Sequence, residues 1–304
     1  MYDFSIIIPT YNGAKSINAC LESIFIQNFQ KQFEVIVVDS SNDCTPEIIR
    51  QNFPQVNLIC LKKQTPEGAA RNIGIGNARG DIIVMTDQDC IVNKSWLSDI
   101  DKKMKSNNYD VIGGSITSFG KDSLWGLISY FVEFSEFMPQ AKAKYKKNVP
   151  TCNIAYRKKI FSKKIRFPED FPISEDMVMN YALVNSGRKI FFDPCISVEH
   201  INRQDLKAVL SHQFYIGRGS ARARKRLSIL PGAFLVKYPI LITLMPFYRL
   251  LMLIKRLASY SKKLLFQAII LAIPILLIEI AWCIGFANEM FKKSNINHEF
   301  NTKI

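Results

Sequence analysis

The chain has 304 residues, enough for one large domain with an appendage or for two domains. With 48% hydrophobic and 22% charged residues it has a globular composition with an apolar surplus, which excludes a disordered or fibrous chain. The net charge of +14 is uneven: twelve Lys or Arg and no Asp or Glu stand between Leu206 and Ile278, leaving +2 for the rest. Basic residues interleaved with long apolar runs point to an anionic membrane surface and not to nucleic acid. The seven cysteines are widely spaced and include no C-x-x-C pair, so they read as small buried thiols in a reducing compartment. MYDFSIIIPTYN has neither the basic flank nor the apolar length of a signal peptide, so the N-terminal part is expected to stay in the cytoplasm.

In chain order, Ser5 to Ile8 reads as a short buried strand, stopped by Pro9 and followed by the loop Thr10-Tyr11-Asn12-Gly13. Ile17 to Phe29 has helical spacing. Glu34 to Asp39 is a second strand, ending in a carboxylate, and Pro46 opens the next helix. Val56 to Leu61 reads as a strand and Pro66 to Ala78 as a helix. The stretch GDIIVMTDQD, Gly80 to Asp89, is the central one. Its apolar run Ile82 to Met85 reads as a buried strand that delivers Asp87 and Asp89 one residue apart. Alternation along an extended chain would send both carboxylates to one side. Two hard oxygen ligands at a strand end suit Mg²⁺ or Mn²⁺ holding phosphate oxygens. Strands alternating with helices predict a parallel sheet covered on both faces, with ligands at the carboxyl ends of the strands.

Further on, Trp96 to Met104 reads as a helix and Val111 to Phe119 as a strand broken at Gly113-Gly114. Ser123 to Phe137 reads as an aromatic helix, and Ala141 to Lys147 as a mobile basic stretch. Thr151 to Tyr156 is a short strand and Glu175 to Asn185 a helix ended by Gly187. Lys189 to Phe192 and Ile196 to His200 are two last short strands.

SIIIPTYNGAKSINACLESI, VIVVDSSNDCTPEI and EGAARNIGIGNARGDIIVMTDQD, followed by PISEDMVMNYALVNSGRKIFFDP and SVEH, together resemble a family-2 glycosyltransferase. The resemblance runs from Tyr2 to His200. It implies the GT-A fold, a Rossmann-like α/β domain with a mixed, mainly parallel sheet, here followed by C-terminal amphipathic and membrane helices. It also implies a metal-dependent, inverting transfer of one sugar from a nucleotide diphosphate sugar, UDP-linked by preference. The acceptor would be a cell-envelope or lipid-linked glycan.

Under that resemblance Pro9, Thr10, Tyr11 and Asp39 would surround the nucleoside, with Asp39 or Asp43 accepting a hydrogen bond from the base. Arg71 would point a guanidinium fork at a phosphate, and Gly68, Ala69 and Ala70 would let a ligand approach the backbone. Asp87 would contact the ribose or the metal, and Asp89 would be the chief ligand of Mg²⁺ or Mn²⁺, which offsets charge on the leaving diphosphate. His200 would approach the metal or the diphosphate. Of the pair Glu175-Asp176, the aspartate would be the general base. The family often has a Gly-Phe-Asp-Glu-like turn before this pair, where this chain reads Phe167-Pro168-Glu169-Asp170-Phe171, a difference on the acceptor side. Trp125, Phe131, Phe134 and Phe137 are candidates for an acceptor groove.

Residues 1–204 are thus expected to form the transferase domain, 205–226 a basic amphipathic helix at the interface, 227–287 membrane helices and 288–304 a polar tail. Leu264 to Phe286 is long enough to span ~30 Å of hydrocarbon, and Tyr238 to Ile254 is marginal. Together these features predict residence at the cell membrane with the catalytic domain facing the cytoplasm. Gln213 and Arg218 lie where processive relatives carry Q-x-x-R-W, but the spacing differs and no Trp follows, which argues against processive synthesis. Arg218 remains a candidate diphosphate contact. A nucleotidyltransferase on a similar sheet would need a Gly-rich loop that PTYNGAKS lacks, and a catalytically silent nucleotide-sugar-binding protein would not need Asp87, Asp89 and Asp176.

Overall fold

The computed structural model describes residues 2–162, 165–171 and 173–292; of the expected polar tail, 293–304 lie outside the described residues, as does Pro172. The N-terminal half alternates β1 (Phe4–Thr10), α1 (Ile17–Phe25), β2 (Phe33–Asp39), α2 (Thr45–Asn52), β3 (Asn57–Cys60), α3 (Glu67–Asn77) and β4 (Ile82–Met85). The run FSIIIPT is buried at every position, as a strand covered on both faces must be. β2 and β3 pair in parallel on one side of β1, and β4 pairs in parallel on the other. The strand order therefore reverses between β1 and β4, and the crevice at their carboxyl ends is where such a sheet binds ligands.

The second half adds β5 (Cys90–Val92), α4 (Trp96–Ser106), β6 (Val111–Ser118), α5 (Leu124–Phe134), β7 (Lys144–Lys146), β8 (Ile154–Arg157), α6 (Glu175–Asn185) and β9 (Ile190–His200). The mixed sheet runs β3-β2-β1-β4-β8-β6-β9-β5, with β7 also on β9. Two differences from the sequence reading matter. The expected pair of strands around Pro194 is one strand, β9, whose pairing with β6 jumps from Gly114–Asp193 to Ser115–Ser197. Residues 194–196 bulge out there, and the Asp193 carboxylate accepts the Cys195 N–H across the bulge. The basic stretch Ala141 to Lys147 is anchored and not mobile: β7 pairs with β9, and the Lys146 ammonium is buried against the rings of Phe137 and Phe192.

Beyond the sheet lie α7 (Leu206–Arg226), α8 (Phe234–Lys237), α9 (Met245–Tyr260), α10 (Lys262–Ile270) and α11 (Ala272–Met290). The apolar run Leu264 to Phe286 is not one helix. Pro274 has no N–H to give and its ring meets the carbonyl four residues back, so the helix ends at Leu271 and α11 starts anew. α11 lies along α7 rather than standing apart. A Cβ on Gly217 would sit 2.0 Å from the Trp282 carbonyl oxygen, and one on Gly285 2.0 Å from that of Phe214. These reciprocal contacts bring the two backbones close. Nor is α7 a free interfacial helix. Val209, Gln213, Gly217, Gly219, Ala221 and Ala223 are buried, and three of its arginines meet acids elsewhere in the chain. Arg218 and Arg222 pair with Glu289, and Arg226 with Asp170. On its first turns Gln213 and His212 reach the half-buried Glu133 of α5, whose carboxyl, raised by burial but lowered more by His212 and Arg203, is held at about 2.

Because both glycines face backbone, Gly285→Ala must push the helices apart, at a cost of about 1–3 kcal/mol for an overpacked contact. In limited trypsin digestion the variant should lose its C-terminal helices sooner than the parent while the sheet domain survives. Equal digestion rates would show that the α7–α11 contact is not close.

Candidate active site

The site is built where β1, β2 and β4 end. Thr10 stands opposite Asp39 in the parallel register, and its hydroxyl donates to Asp39 Oδ1 at 2.6 Å. Ser41 Oγ donates to the same oxygen, and the Asn12 N–H donates in turn to Ser41 Oγ. Asp39 is buried, so the loop after β1 is hung on this carboxylate. Asp43 is spent differently: it accepts from the Thr45 hydroxyl, the Thr45 N–H and the Ala14 N–H, which lower its carboxyl against the raising effect of burial. Of the two candidates the sequence left open, Asp43 secures the start of α2 and Asp39 lines the strand end beside Pro9, Thr10 and Tyr11. Tyr11 is partly exposed, and its N–H and carbonyl are both held by the Gln88 amide across the β1–β4 crevice.

After β4 the chain does not stay extended. The Cys90 N–H donates to the Asp87 carbonyl, closing a turn, so the alternation expected for Asp87 and Asp89 does not apply. The turn sends the two carboxylates to different partners. Asp87 accepts from Arg71 at 2.9 Å, while Asp89 Oδ2 lies 3.6 Å from His200 Nε2. The element that makes the second pairing possible is β5, which the sequence reading lacked. Its three residues align Cys90 with His200, and the Ile201 N–H donates to the Asp89 carbonyl.

Arg71 differs from its expected part. It is 1% exposed, its guanidinium donates to Asp87, Glu67 and Glu175, and it lies 5.8 Å from the Phe167 ring. It is directed at carboxylates, not presented as an open fork for a phosphate. The small residues beside it serve protein packing. A Cβ on Gly68 would come within 2.5 Å of the Pro168 carbonyl oxygen and 3.1 Å of Glu175 Cγ. Among the described residues Arg71 Nε and the hydroxyl of Thr86, just before Asp87, are buried without a partner.

Glu175 and Asp176 open α6 directly after Ser174, whose φ of 70° is the left-handed region that a serine rarely occupies. Strain of this kind collects where a turn must aim a functional group. The two acids part company here. Glu175 is buried on Arg71; burial, with Asp176 nearby, raises its carboxyl to about 7 against the pull of Arg71. Asp176 is half-buried, and among the described residues its hydrogen bond is the 2.6 Å one from the Met177 N–H. Burial raises its carboxyl as well, Arg71 and the Met177 N–H oppose this, and Glu67 and Asp87 add to it. A partly accessible carboxylate with a raised pKa is what a general base requires.

Two further expectations are corrected. Phe131, Phe134 and Phe137 are buried, and Trp125 packs partly buried against the same core, so they do not line a groove. Phe134 packs on His200 with ring centroids 4.8 Å apart. Arg218 donates to Glu289 at 3.0 Å. What sequence reasoning missed is the polar support of His200, formed by Asn202, Asp122, Ser118 and Gln204. The only signal was a concentration of polar residues in INRQD after the last strand.

The donor set fits a divalent cation. Among the described residues no three His, Cys, Asp or Glu side chains cluster as a cage. Asp89 and His200 supply one carboxylate and one imidazole, which suits an ion that fills its other positions with phosphate oxygens and water. Their 3.6 Å separation is too long for a hydrogen bond and leaves room for a shared cation.

The Glycosyl transferase family 2 model matches residues 5–164, more than half of the chain. The chain is 26% identical over 220 residues to glycosyltransferase AglE of Haloferax volcanii, covering 71% of this chain and 72% of that one. It is 28% identical over 267 residues to the dolichyl N-acetyl-alpha-D-glucosaminyl phosphate 3-beta-D-2,3-diacetamido-2,3-dideoxy-beta-D-glucuronosyltransferase of Methanococcus voltae, covering 82% and 79%. Against poly(ribitol-phosphate) beta-N-acetylglucosaminyltransferase TarS of Staphylococcus aureus it is 35% identical over 117 residues, 37% of this chain and only 20% of the relative. Among solved structures, the mannosyltransferase PcManGT of Pyrobaculum calidifontis with GDP-Man and Mn²⁺ has a TM-score of 0.64 at 18% identity, covering 96% and 88%. The S. aureus TarS 1-349 complex with UDP-GlcNAc has 0.53 at 19%, covering 95% and 90%. The fold is GT-A-like, and the protein belongs to glycosyl transferase family 2 as a glycosyltransferase.

Proposed function

We propose that the protein transfers a single sugar, with inversion, from a nucleotide diphosphate sugar to a lipid-linked or other cell-envelope glycan at the membrane surface, using Mn²⁺ or Mg²⁺. The observation that carries this reading is the convergence at one sheet edge of Asp39, the Asp87–Arg71 pair, the Asp89–His200 pair and Asp176. Likeness to proteins solved in complex with UDP-GlcNAc and with GDP-Man supports a nucleotide-sugar donor, and similarity to an enzyme named for a dolichyl phosphate substrate supports a lipid-linked acceptor.

Asp39 and the Thr10–Tyr11 loop receive the nucleoside, with UDP the preferred carrier. Asp89 and His200 would hold the cation, with Asp87 beside them turned to Arg71. The bound cation would neutralise charge on the departing diphosphate. Asp176 takes the proton of the acceptor hydroxyl as its oxygen bonds to the anomeric carbon from the face opposite the breaking bond to the diphosphate. Glu175 is not the base, because Arg71 already occupies its carboxylate. Arg71 orients Asp87 and Glu175 and so keeps Asp176 at the edge of the site; Arg218 braces the C-terminal helices and takes no part in phosphate binding.

The C-terminal helices lie on the membrane. Among the described residues only α11 is long and apolar enough to cross, and half of that window is buried inside the protein. Its docking on α7 favours a helical pad lying in the plane of the bilayer over a freely spanning anchor. Phe247, Leu251, Ile269 and Ile273 are exposed at 56–83%, and Lys255, Lys262 and Lys263 on the same helices are exposed too. Apolar burial joined to lysines is the combination that binds anionic lipid. The catalytic domain sits on the cytoplasmic side. Residues 1–204 form the transferase domain, with 205–287 the helical region that docks it on the bilayer.

Three outcomes are expected. Asp176→Asn should cut turnover by about 10²–10⁴-fold while donor affinity by calorimetry is retained; a loss confined to donor binding would remove Asp176 from the role of base. Asp89→Asn should abolish Mn²⁺-dependent release of nucleoside diphosphate in a panel of donors, as should EDTA with the parent protein. Full activity in either case would end the metal-dependent reading. The full chain should co-sediment with vesicles containing anionic lipid and resist a high-salt wash. Leu251→Glu with Ile273→Glu should release it, and unchanged sedimentation would show that this face does not meet lipid.

A further inference from the structure

We propose that Asp122 and Asn202 are positioning residues that hold His200 in one tautomer, protonated on Nδ1, so that its Nε2 lone pair is turned towards Asp89. The inference rests on the reading that Asp89 and His200 hold the cation.

The Asn202 amide nitrogen lies 2.7 Å from Ser118 Oγ and 3.2 and 3.3 Å from the two oxygens of Asp122. A carboxylate only accepts. Ser118 gives its own proton to Asp122, so its oxygen also accepts from Asn202. All the neighbours on this side of Asn202 therefore require a donor, and the orientation of the amide follows. Its oxygen is left facing His200 Nδ1 at 3.0 Å. An amide oxygen cannot donate, so Nδ1 must carry the hydrogen. In the neutral ring Nε2 is then unprotonated, and it is the atom 3.6 Å from Asp89 Oδ2. Two acceptors facing each other at that distance repel unless a cation lies between them.

The ring cannot easily turn away. His200 is 6% and Asn202 3% exposed, and the Phe134 ring packs against the imidazole. The support is anchored at both ends. Gln204 donates to Asp122 at 2.9 Å and accepts from the Ser123 N–H at 2.7 Å, and Ser123 caps α5. Asp205, the next residue, caps α7. An imidazole whose second nitrogen donates to a fixed oxygen is the usual support of a metal-binding histidine.

The first readout is the ring itself, without metal, donor or turnover, and the second is Mn²⁺ binding without donor. The chain has three histidines, so ring-¹⁵N-labelled protein gives few signals, and His200→Gln assigns the one of interest. At about pH 8, above the usual histidine pKa of about 6.5, the parent should show His200 protonated on Nδ1. Asn202→Ala should move the proton to Nε2 and weaken Mn²⁺ binding, read by electron paramagnetic resonance titration, by about 10–100-fold. The double exchange Asp122→Asn with Asn202→Asp, in which amide and carboxylate trade places, should restore an acceptor on Nδ1 and return both properties. It also guards against a simple folding defect in the alanine variant. A parent ring protonated on Nε2, or a tautomer unchanged by Asn202→Ala, would overturn the relay while His200→Gln still reports on the metal. If His200→Gln and Asn202→Ala both leave Mn²⁺ affinity unchanged, the metal reading itself fails and the relay loses its purpose.

Discussion

The buried guanidinium of Arg71 is the interaction on which the site depends. One cation on α3 reaches the turn after β4 through Asp87 and the first turn of α6 through Glu175, two segments 88 residues apart in sequence. Its interior position means that its charge is compensated by carboxylates, because an unpaired buried charge costs several kcal/mol. Burial, joined by the surplus of carboxylates around one guanidinium, pushes the carboxyl groups of α6 upward. Breaking the cluster from either side would leave unpaired charge in a dry environment. Gly68, in the first turn of α3, belongs to the same arrangement: a Cβ there would meet the Pro168 carbonyl oxygen, so a larger residue would keep the helix from coming this close.

The second organising region is α7. It is the shared wall between the transferase domain and the C-terminal helices. Gly219 faces the turn at Ile173–Ser174 that aims Asp176, and a Cβ there would lie 2.4 Å from Ile173 Cγ2. Gly217 meets α11 with the same intimacy. Arg222 and Arg226 hold Asp170 in the loop that departs from the family pattern. The C-terminal helices and the turn that carries Asp176, the proposed base, therefore rest on one helix. Under the proposed function, a sheet domain and a helical pad joined in this way would place the acceptor's lipid end and its reacting hydroxyl in a fixed relation.

Much of this was legible beforehand because period and punctuation are local. FSIIIPT, EVIVVD and IIVM read as buried strands because no face of a parallel sheet is open to water, and EDMVMNYALVN reads as a helix between Ser174 and Gly187. What stayed hidden was short or non-local. Three-residue β5 and β7 carry no period of their own and exist because β9 offers them an edge. The break in the apolar run at Pro274 was masked by hydropathy, which averages over a proline. The basic residues of α7 looked like a membrane face because their partners, Glu289 and Asp170, are distant in sequence.

The sequence by itself determined the alternation of strands and helices in the N-terminal half, the family and the residues that could carry charge to the site, since these follow from side-chain chemistry and short-range spacing. Only the tertiary structure decided how those residues are used. It gave Arg71 to carboxylates, separated Asp39 from Asp43, turned Asp87 and Asp89 to different partners and set Asn202 behind His200. Hydrogen bonds and ion pairs act over about 3 Å, and which groups come within that distance is fixed by pairings between strands and helices far apart along the chain.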